Sequence, residues 1–263
     1  MPVSLQEILS STREGLTALR TRRAALERDI RGSRVARPSF RAALRRPTVA
    51  VIAEVKRRSP SVGSIREDLD PGERAALYAA HGAAAISVLT DGPFFGGSMH
   101  DLRAAAERCP LPVLRKDFIL DEVQILEARA AGASAVLLIV RALERDRLKT
   151  LLSYSAELGL DALVEVHTTG ELATALESDA RIIGINSRDL DSFRIDTDAA
   201  WKLVSQVPSD RIAVAESGIV GQTDVAQVAQ AGADAVLIGT ALSASSSPEE
   251  LLHQLSSVPR HGR

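Results

Sequence analysis

Five short apolar runs in this sequence each lead into side chains that ionise or carry an amide. Ile52-Ala53 precedes Glu54 and Lys56; Val113-Leu114 precedes Arg115, Lys116 and Asp117; Val164 precedes Glu165; Gly184-Ile185 precedes Asn186 and Arg188; Val214-Ala215 precedes Glu216. A single such charge is ordinarily a solvated strand end or a structural ion pair. Five brought to one point form a set in which carboxylates and cations fix one another's charged forms and shift proton affinities. Glu54 and Lys56 stand two residues apart, so in a strand they share one face while Val55 takes the other. If Ala53 and Val55 pack under helices, the acid and the amine face a common site suited to proton transfer and anion binding. Two turns, Glu216-Ser217-Gly218 and Ile238-Gly239-Thr240, carry a second signal. Small residues just before a helix expose backbone N–H groups, which cradle phosphate. His81, His100, His167, His253 and His261 show no paired ligand spacing, so no metal is expected. His167, just past its strand, borders the region but reads as a loop histidine.

The elements that must position these residues follow a repeated phrase, in which an amphipathic helix ends in glycine and an apolar strand follows at once. It recurs at Gly82, Gly132, Gly159 and Gly232, each suited to the left-handed position past a helix. Strands are expected at 49–56, 85–89, 113–116, 135–139, 162–166, 182–186, 212–216 and 235–238, with helices between them starting, for instance, at Pro71, Asp121 and Gly221. Eight strand-helix units make a (β/α)8 TIM barrel, whose catalytic residues sit at the C-terminal ends of the strands. A doubly wound fold would carry a glycine-rich loop after its first strand; Arg57-Arg58-Ser59-Pro60-Ser61 is no such loop. One barrel domain is expected over 1–263, with 1–47 as an N-terminal helical extension and connector. Leu5, Ile8, Leu9, Leu16, Leu19 and Leu26 fall at helical spacing, and this extra helix suits equally a plug on the barrel wall or a lid near the site. The stretch from Gly32 to Pro47 reads as its connector.

Length and composition agree with that architecture. The 263 residues fit one barrel of about 250, and 3% aromatic content among abundant Ala, Val, Leu and Ile suits an interior filled by branched aliphatics. A net charge of −2 leaves no footprint for nucleic acid or an anionic membrane. The single Cys109 rules out an internal disulfide and fits a reducing cytoplasm. No apolar run reaches membrane-spanning length.

Taken together, the segments resemble the indole-3-glycerol phosphate synthase family from about Thr48 to Leu251. The resemblance is carried by Ile52-Ala53-Glu54-Val55-Lys56 with Ser59-Pro60-Ser61, and by Val88-Leu89-Thr90-Asp91 with Phe94-Phe95-Gly96-Gly97-Ser98. It continues through Leu114-Arg115-Lys116-Asp117-Phe118, Asn186-Ser187-Arg188-Asp189-Leu190 and Ala215-Glu216-Ser217-Gly218-Ile219. It implies a cofactor-free carboxy-lyase of tryptophan biosynthesis acting on 1-(2-carboxyphenylamino)-1-deoxyribulose 5-phosphate. By similarity Lys116 is the general acid of ring closure and Lys56 the acid of dehydration. Glu54 and Glu165 orient Lys56 or act as base, and Asn186 hydrogen-bonds the reacting region. Arg188 would fork the substrate carboxylate, with Ser59 and the arginines after Lys56 nearby. Pro60, Phe94 and Phe118 would wall the aromatic ring, and Glu216 and Ser217 sit beside a phosphate cradle of Gly218, Gly239 and Thr240. Two positions depart from the family: Val62 stands where a basic residue is common, and Thr240 where serine is. Trp201, on a helix, reads as structural.

Two rivals are weighed against this. A sugar-phosphate isomerase of the same fold would need a strand-end Cys with an Asp, and Cys109 precedes Pro110 away from any strand end. A catalytically silent barrel would have lost a site lysine or carboxylate, and none is missing. The expected partner is a phosphorylated small molecule, with a monomer or weak homo-oligomer and neither nucleic acid nor membrane.

Overall fold

The computed structural model describes residues 4–32 and 37–262. Eight parallel strands close into a barrel: β1 Ala50–Val55, β2 Ala85–Leu89, β3 Val113–Lys116, β4 Ala135–Ile139, β5 Asp161–Val166, β6 Ile182–Asn186, β7 Ile212–Glu216 and β8 Ala235–Ile238. β1 closes the ring by pairing with β2 on one side and β8 on the other. The expected strands are all present, with ends shifted by a residue at β1 and β5 only.

Period-two alternation divides each strand between two cores. Val51, Ala53 and Val55 of β1 join Ile86, Val113, Val136, Val164, Ile183, Ala213 and Val236 in the layer under the helices. Ala50 and Ile52 join Leu114, Leu137, Leu163, Ile182, Val214 and Leu237 inside the barrel. Helix starts are fixed by side chains that accept the free backbone donors of the first turn. Asp70 accepts from the Glu73 N–H, Ser98 from Asp101, and Asp121 from Val123. Trp201 packs half-buried against the outer core, as a structural residue would.

The N-terminal extension forms two helices, Leu5–Thr21 and Arg23–Gly32. The first helix lies over the strand ends: Ser11, Thr12, Gly15 and Leu16 share a groove with Asp91 and Asp117, which follow β2 and β3. Leu5, Ile8 and Leu9 pack in the same apolar cluster as Phe95 and Phe118. The plug comes from the connector. Phe40 and Leu44 are fully buried, and the Ser39 hydroxyl and Arg41 N–H both donate to Asp161 at the start of β5. Residues 33–36 of that connector lie outside the described residues.

Candidate active site

The uppermost layer of the barrel interior is charged. Glu54, Lys116, Glu165 and Glu216 come from β1, β3, β5 and β7, and alternate strands are what supply one interior layer in this fold. The even strands make room for them. Ser87 of β2 donates to Glu54 at 3.4 Å. A Cβ on Gly184 of β6 would run into the Glu216 carboxylate, and one on Gly239, just past β8, into that of Glu54. At both positions a carboxylate occupies the space a side chain would take, so a substitution there must displace a glutamate of this layer. Above this layer opens a cleft of about 390 Å³, within the range of small-molecule sites.

Two ion-paired units occupy the cleft floor. Lys56 Nζ lies 2.9 Å from Glu54; Lys116 Nζ lies 3.3 Å from Glu165 and 3.6 Å from Glu216. Burial alone would depress the Lys116 ammonium, but Glu165, Glu216 and Glu54 outweigh it and hold the group charged well above its ordinary range. Burial likewise pushes Glu165 up, yet Lys116, then His167 and Asn186, bring it below the usual carboxylate range. Glu216 moves the other way: burial, then the charge of Glu165, push it up to about 8 against the pull of Lys116. Two carboxylates crowded on one ammonium do not both ionise at neutral pH, so the pair keeps a proton on the Glu216 side.

This arrangement has a measurable consequence for stability. Glu216 binds its proton more tightly folded than unfolded, so its contribution is fully present below about pH 4.5 and is lost as pH rises towards 8. The slope from this one group is at most about 1.4 kcal/mol per pH unit. Glu216→Gln is expected to flatten the fall in urea midpoint between pH 5 and 8. A variant whose midpoint tracks the parent's across that range would show that Glu216 is ionised in the fold.

The ends of the cleft differ in character. At one, Phe95 and Phe118 stand 6.2 Å apart between ring centroids, with Pro60 and Leu190 beside them. Arg188 lines the same cleft, with its guanidinium donating to the Phe193 carbonyl at 3.1 Å. No carboxylate among the described residues lies within ion-pair distance of it. Burial lowers its pKa, so an incoming anion would be welcome there. At the other end Gly218, Gly239 and Thr240 line the wall with Ile219 and Ala241. Thr240 and Ala241 open a short helix, where backbone N–H groups have no partner within the helix. Ser217 is held at φ 65°, a left-handed conformation rare outside glycine and characteristic of functional turns.

Several residues stand elsewhere than the sequence suggested. Phe94 does not line the cleft; its neighbour Phe95 does. The N–H groups of both donate to Asp91, and that turn swings the second ring, not the first, inward. Glu216 belongs to the Lys116 cluster rather than to the wall of Gly218, Gly239 and Thr240, since β7 alternation points it into the barrel beside Val214. Arg57 is turned away and paired with Asp101 at 2.7 Å. Arg115 and Asp117 pair with each other at 2.9 Å, and Arg115 continues to Glu127, so of that charged run Lys116 supplies the cleft's cation. Glu54, Lys56, Ser59, Pro60, Lys116, Phe118, Glu165, Asn186, Arg188, Ser217, Gly218, Gly239 and Thr240 all line the one cleft. His167, expected in a loop, has only 4% of its side chain exposed and lies 3.5 Å from Glu165.

Comparison with known proteins adds to this geometry. Among solved structures the chain is similar to 3-hexulose-6-phosphate synthase from Salmonella typhimurium, at 15% identity with a TM-score of 0.60 over 79% of this chain and 97% of that one. It is also similar to thiamine phosphate pyrophosphorylase from Pyrococcus furiosus, at 17% identity and TM-score 0.58 over 81% and 95%. At such identities the likeness concerns the fold alone. Sequence relatives are nearer: indole-3-glycerol phosphate synthases of a Nocardioides species, 49% identical over 94% of this chain and 93% of theirs, and of Chlorobium chlorochromatii, 51% identical over 81% and 84%. The family model for indole-3-glycerol phosphate synthase matches residues 5–255, and with these relatives it establishes that the chain belongs to the indole-3-glycerol phosphate synthase family.

Proposed function

We infer that this protein converts 1-(2-carboxyphenylamino)-1-deoxyribulose 5-phosphate to indole-3-glycerol phosphate, carbon dioxide and water, with its own lysines and carboxylates moving the protons. The observation that carries this is the pair of separate ammonium–carboxylate units in one cleft, Lys116 with Glu165 and Glu216, and Lys56 with Glu54. The reaction needs two acids. In ring closure the arene carbon bearing the carboxylate attacks the ribulose carbonyl, and Lys116 gives its proton to the carbonyl oxygen. Loss of carbon dioxide returns the bonding pair to the ring system and neutralises the iminium nitrogen. Lys56 then protonates the departing hydroxyl, and a carboxylate takes the proton from the adjacent ring carbon, which yields the indole. Two protons are given and one is taken, so each turnover draws one proton from solvent, as conversion of a carboxylate to carbon dioxide demands.

Binding follows the same polarity. Phe95, Phe118 and Pro60 receive the aryl ring, Arg188 its carboxylate, and the Gly218–Thr240 wall the phosphate. The same reading puts the enzyme in a reducing cytoplasm, where Cys109 stays a thiol. Purified protein is expected to form the fluorescent indole product from this substrate without added metal or nucleotide; no product, or product only after a divalent ion is restored to chelated enzyme, counts against the reading. The phosphate end is best probed at Thr240, because a side chain at Gly239 would also displace Glu54. Thr240→Asp sets a negative charge against the phosphate and is expected to raise KM by about a hundredfold or more, with a smaller change in kcat. An unchanged KM would place the phosphate elsewhere.

A further inference from the structure

His167 stands between two carboxylates. Its Nε2 lies 3.5 Å from Glu165 Oε1 and its Nδ1 3.2 Å from Glu171 Oε2. Both the His167 Nε2 and the Glu165 Oε1 are buried, and neither makes a hydrogen bond among the described residues. The ring is held in place from the helix that follows. Thr168 caps that helix by accepting the Glu171 N–H, and Glu171 reaches back to accept the His167 backbone N–H at 2.8 Å. Glu171 is fixed in turn by Arg141 at 3.0 Å, and Arg141 reaches Asp189 at 2.9 Å. Asp189 Oδ1 accepts the N–H groups of Asp191 and Ser192, within the loop whose Phe193 carbonyl accepts from Arg188.

We propose that His167 is a positioning residue for the reaction: it sets Nε2 against Glu165 Oε1 and so keeps the other oxygen of that carboxylate aimed at Lys116. The chemistry follows from the partners. Glu171 is tied to Arg141, and both carboxylates accept only, so each ring nitrogen meets an oxygen that calls for a donor. The groups facing Glu165 are Lys116 from β3, Glu216 from β7, Asn186 from β6 and His167; those facing His167 are Glu165 and Glu171, with Arg141 behind the latter. Of these, Lys116 and His167 pull Glu165 towards ionisation and Glu216 opposes it. Removing His167 therefore moves Glu165 towards its protonated form.

The inference rests on the reaction assigned above, so the test has one arm that needs no turnover. His167→Leu is expected to lower kcat on the order of tenfold with KM within about twofold, and to move the acidic limb of the pH profile up by about one unit. His167→Gln keeps an N–H donor and is expected to recover most of kcat. In the second arm, protein with isotope-labelled glutamate is titrated by infrared difference spectroscopy, with Glu165→Gln to identify the Glu165 band. That band is expected to titrate at higher pH in His167→Leu than in the parent. A Glu165 titration unmoved by His167→Leu overturns the proposal, whether or not the parent turns over; so does a variant that loses only thermal stability while kcat and the acidic limb stay put. A parent with no activity but a shifted Glu165 band would sink the assigned reaction and leave the positioning role supported.

Discussion

Replacement of Lys116 by methionine is expected to lower kcat by about 10²- to 10⁴-fold, the usual contribution of a general acid, while the barrel stays folded. Lys116 projects from β3 into a layer it shares with Glu54, Glu165 and Glu216, and 16% of its side chain is exposed to the cleft. Methionine keeps the stem that packs there and loses only the ammonium. That loss leaves Glu165 and Glu216 facing each other with no cation between them. Stripping one partner from a buried pair costs roughly 3–5 kcal/mol when the other stays charged, but these carboxyls escape by taking up a second proton. Both are then raised in the folded variant, so stability is retained at low pH and lost as pH rises through their folded values. The variant is expected to melt close to the parent at pH 5 and well below it at pH 8. Turnover at the parent's rate would remove Lys116 from the chemistry, and a melting difference independent of pH would show that the two carboxyls do not share its charge.

The sequence made the barrel and most of this layer readable because both depend on strict alternation. Glu54, Lys116, Glu165 and Glu216 each fall in step with apolar residues that point inward, so the strand pattern alone orients them. Glu216 was drawn towards the phosphate end only by its chain neighbours Ser217 and Gly218; extending the β7 alternation from Val214 would have turned it to Lys116. Gly184 also left a signal, since glycine inside a buried strand marks a close approach, but nothing local says that the approaching group is a carboxylate from the next strand. Alternation stops where strands end, and there single positions were misread. Phe94 and Phe95 are equivalent as residues, and a turn fixed by Asp91 decides between them. His167 lies one residue past β5, and only the Thr168-x-x-Glu171 capping pattern hints that its ring is pinned back over the barrel. Arg188 was readable as a cation, but that no carboxylate among the described residues pairs with it is a property of the assembled cleft.

Replacement of Lys56 by methionine is expected to separate the two halves of the reaction. Glu54 near the end of β1 and Lys56 just past it stand 2.9 Å apart, and Glu54 packs over Gly239. The Lys116 cluster lies across the barrel on β3, β5 and β7. On the proposed reaction one ammonium protonates the ribulose carbonyl and the other the hydroxyl that this step creates. Two protons are given in each turnover, the first before carbon dioxide leaves and the second only afterwards, and one ammonium for each step is the division proposed. Without Lys56, ring closure and decarboxylation still have their acid, and the hydroxylated ring-closed species has no donor to expel its water. In a single turnover with enzyme in excess, Lys56→Met is expected to release carbon dioxide within a few-fold of the parent's rate while indole formation falls by about 10²-fold or more. Lys116→Met is expected to slow both signals equally, because nothing downstream of closure forms. Quenching the Lys56→Met reaction in acid and separating the products would show the accumulated intermediate directly, as a species lacking the carboxylate but retaining the hydroxyl. If Lys56→Met delays carbon dioxide as much as indole, the two ammonium groups act on the same step, and the separation of the ion pairs in the cleft has another purpose.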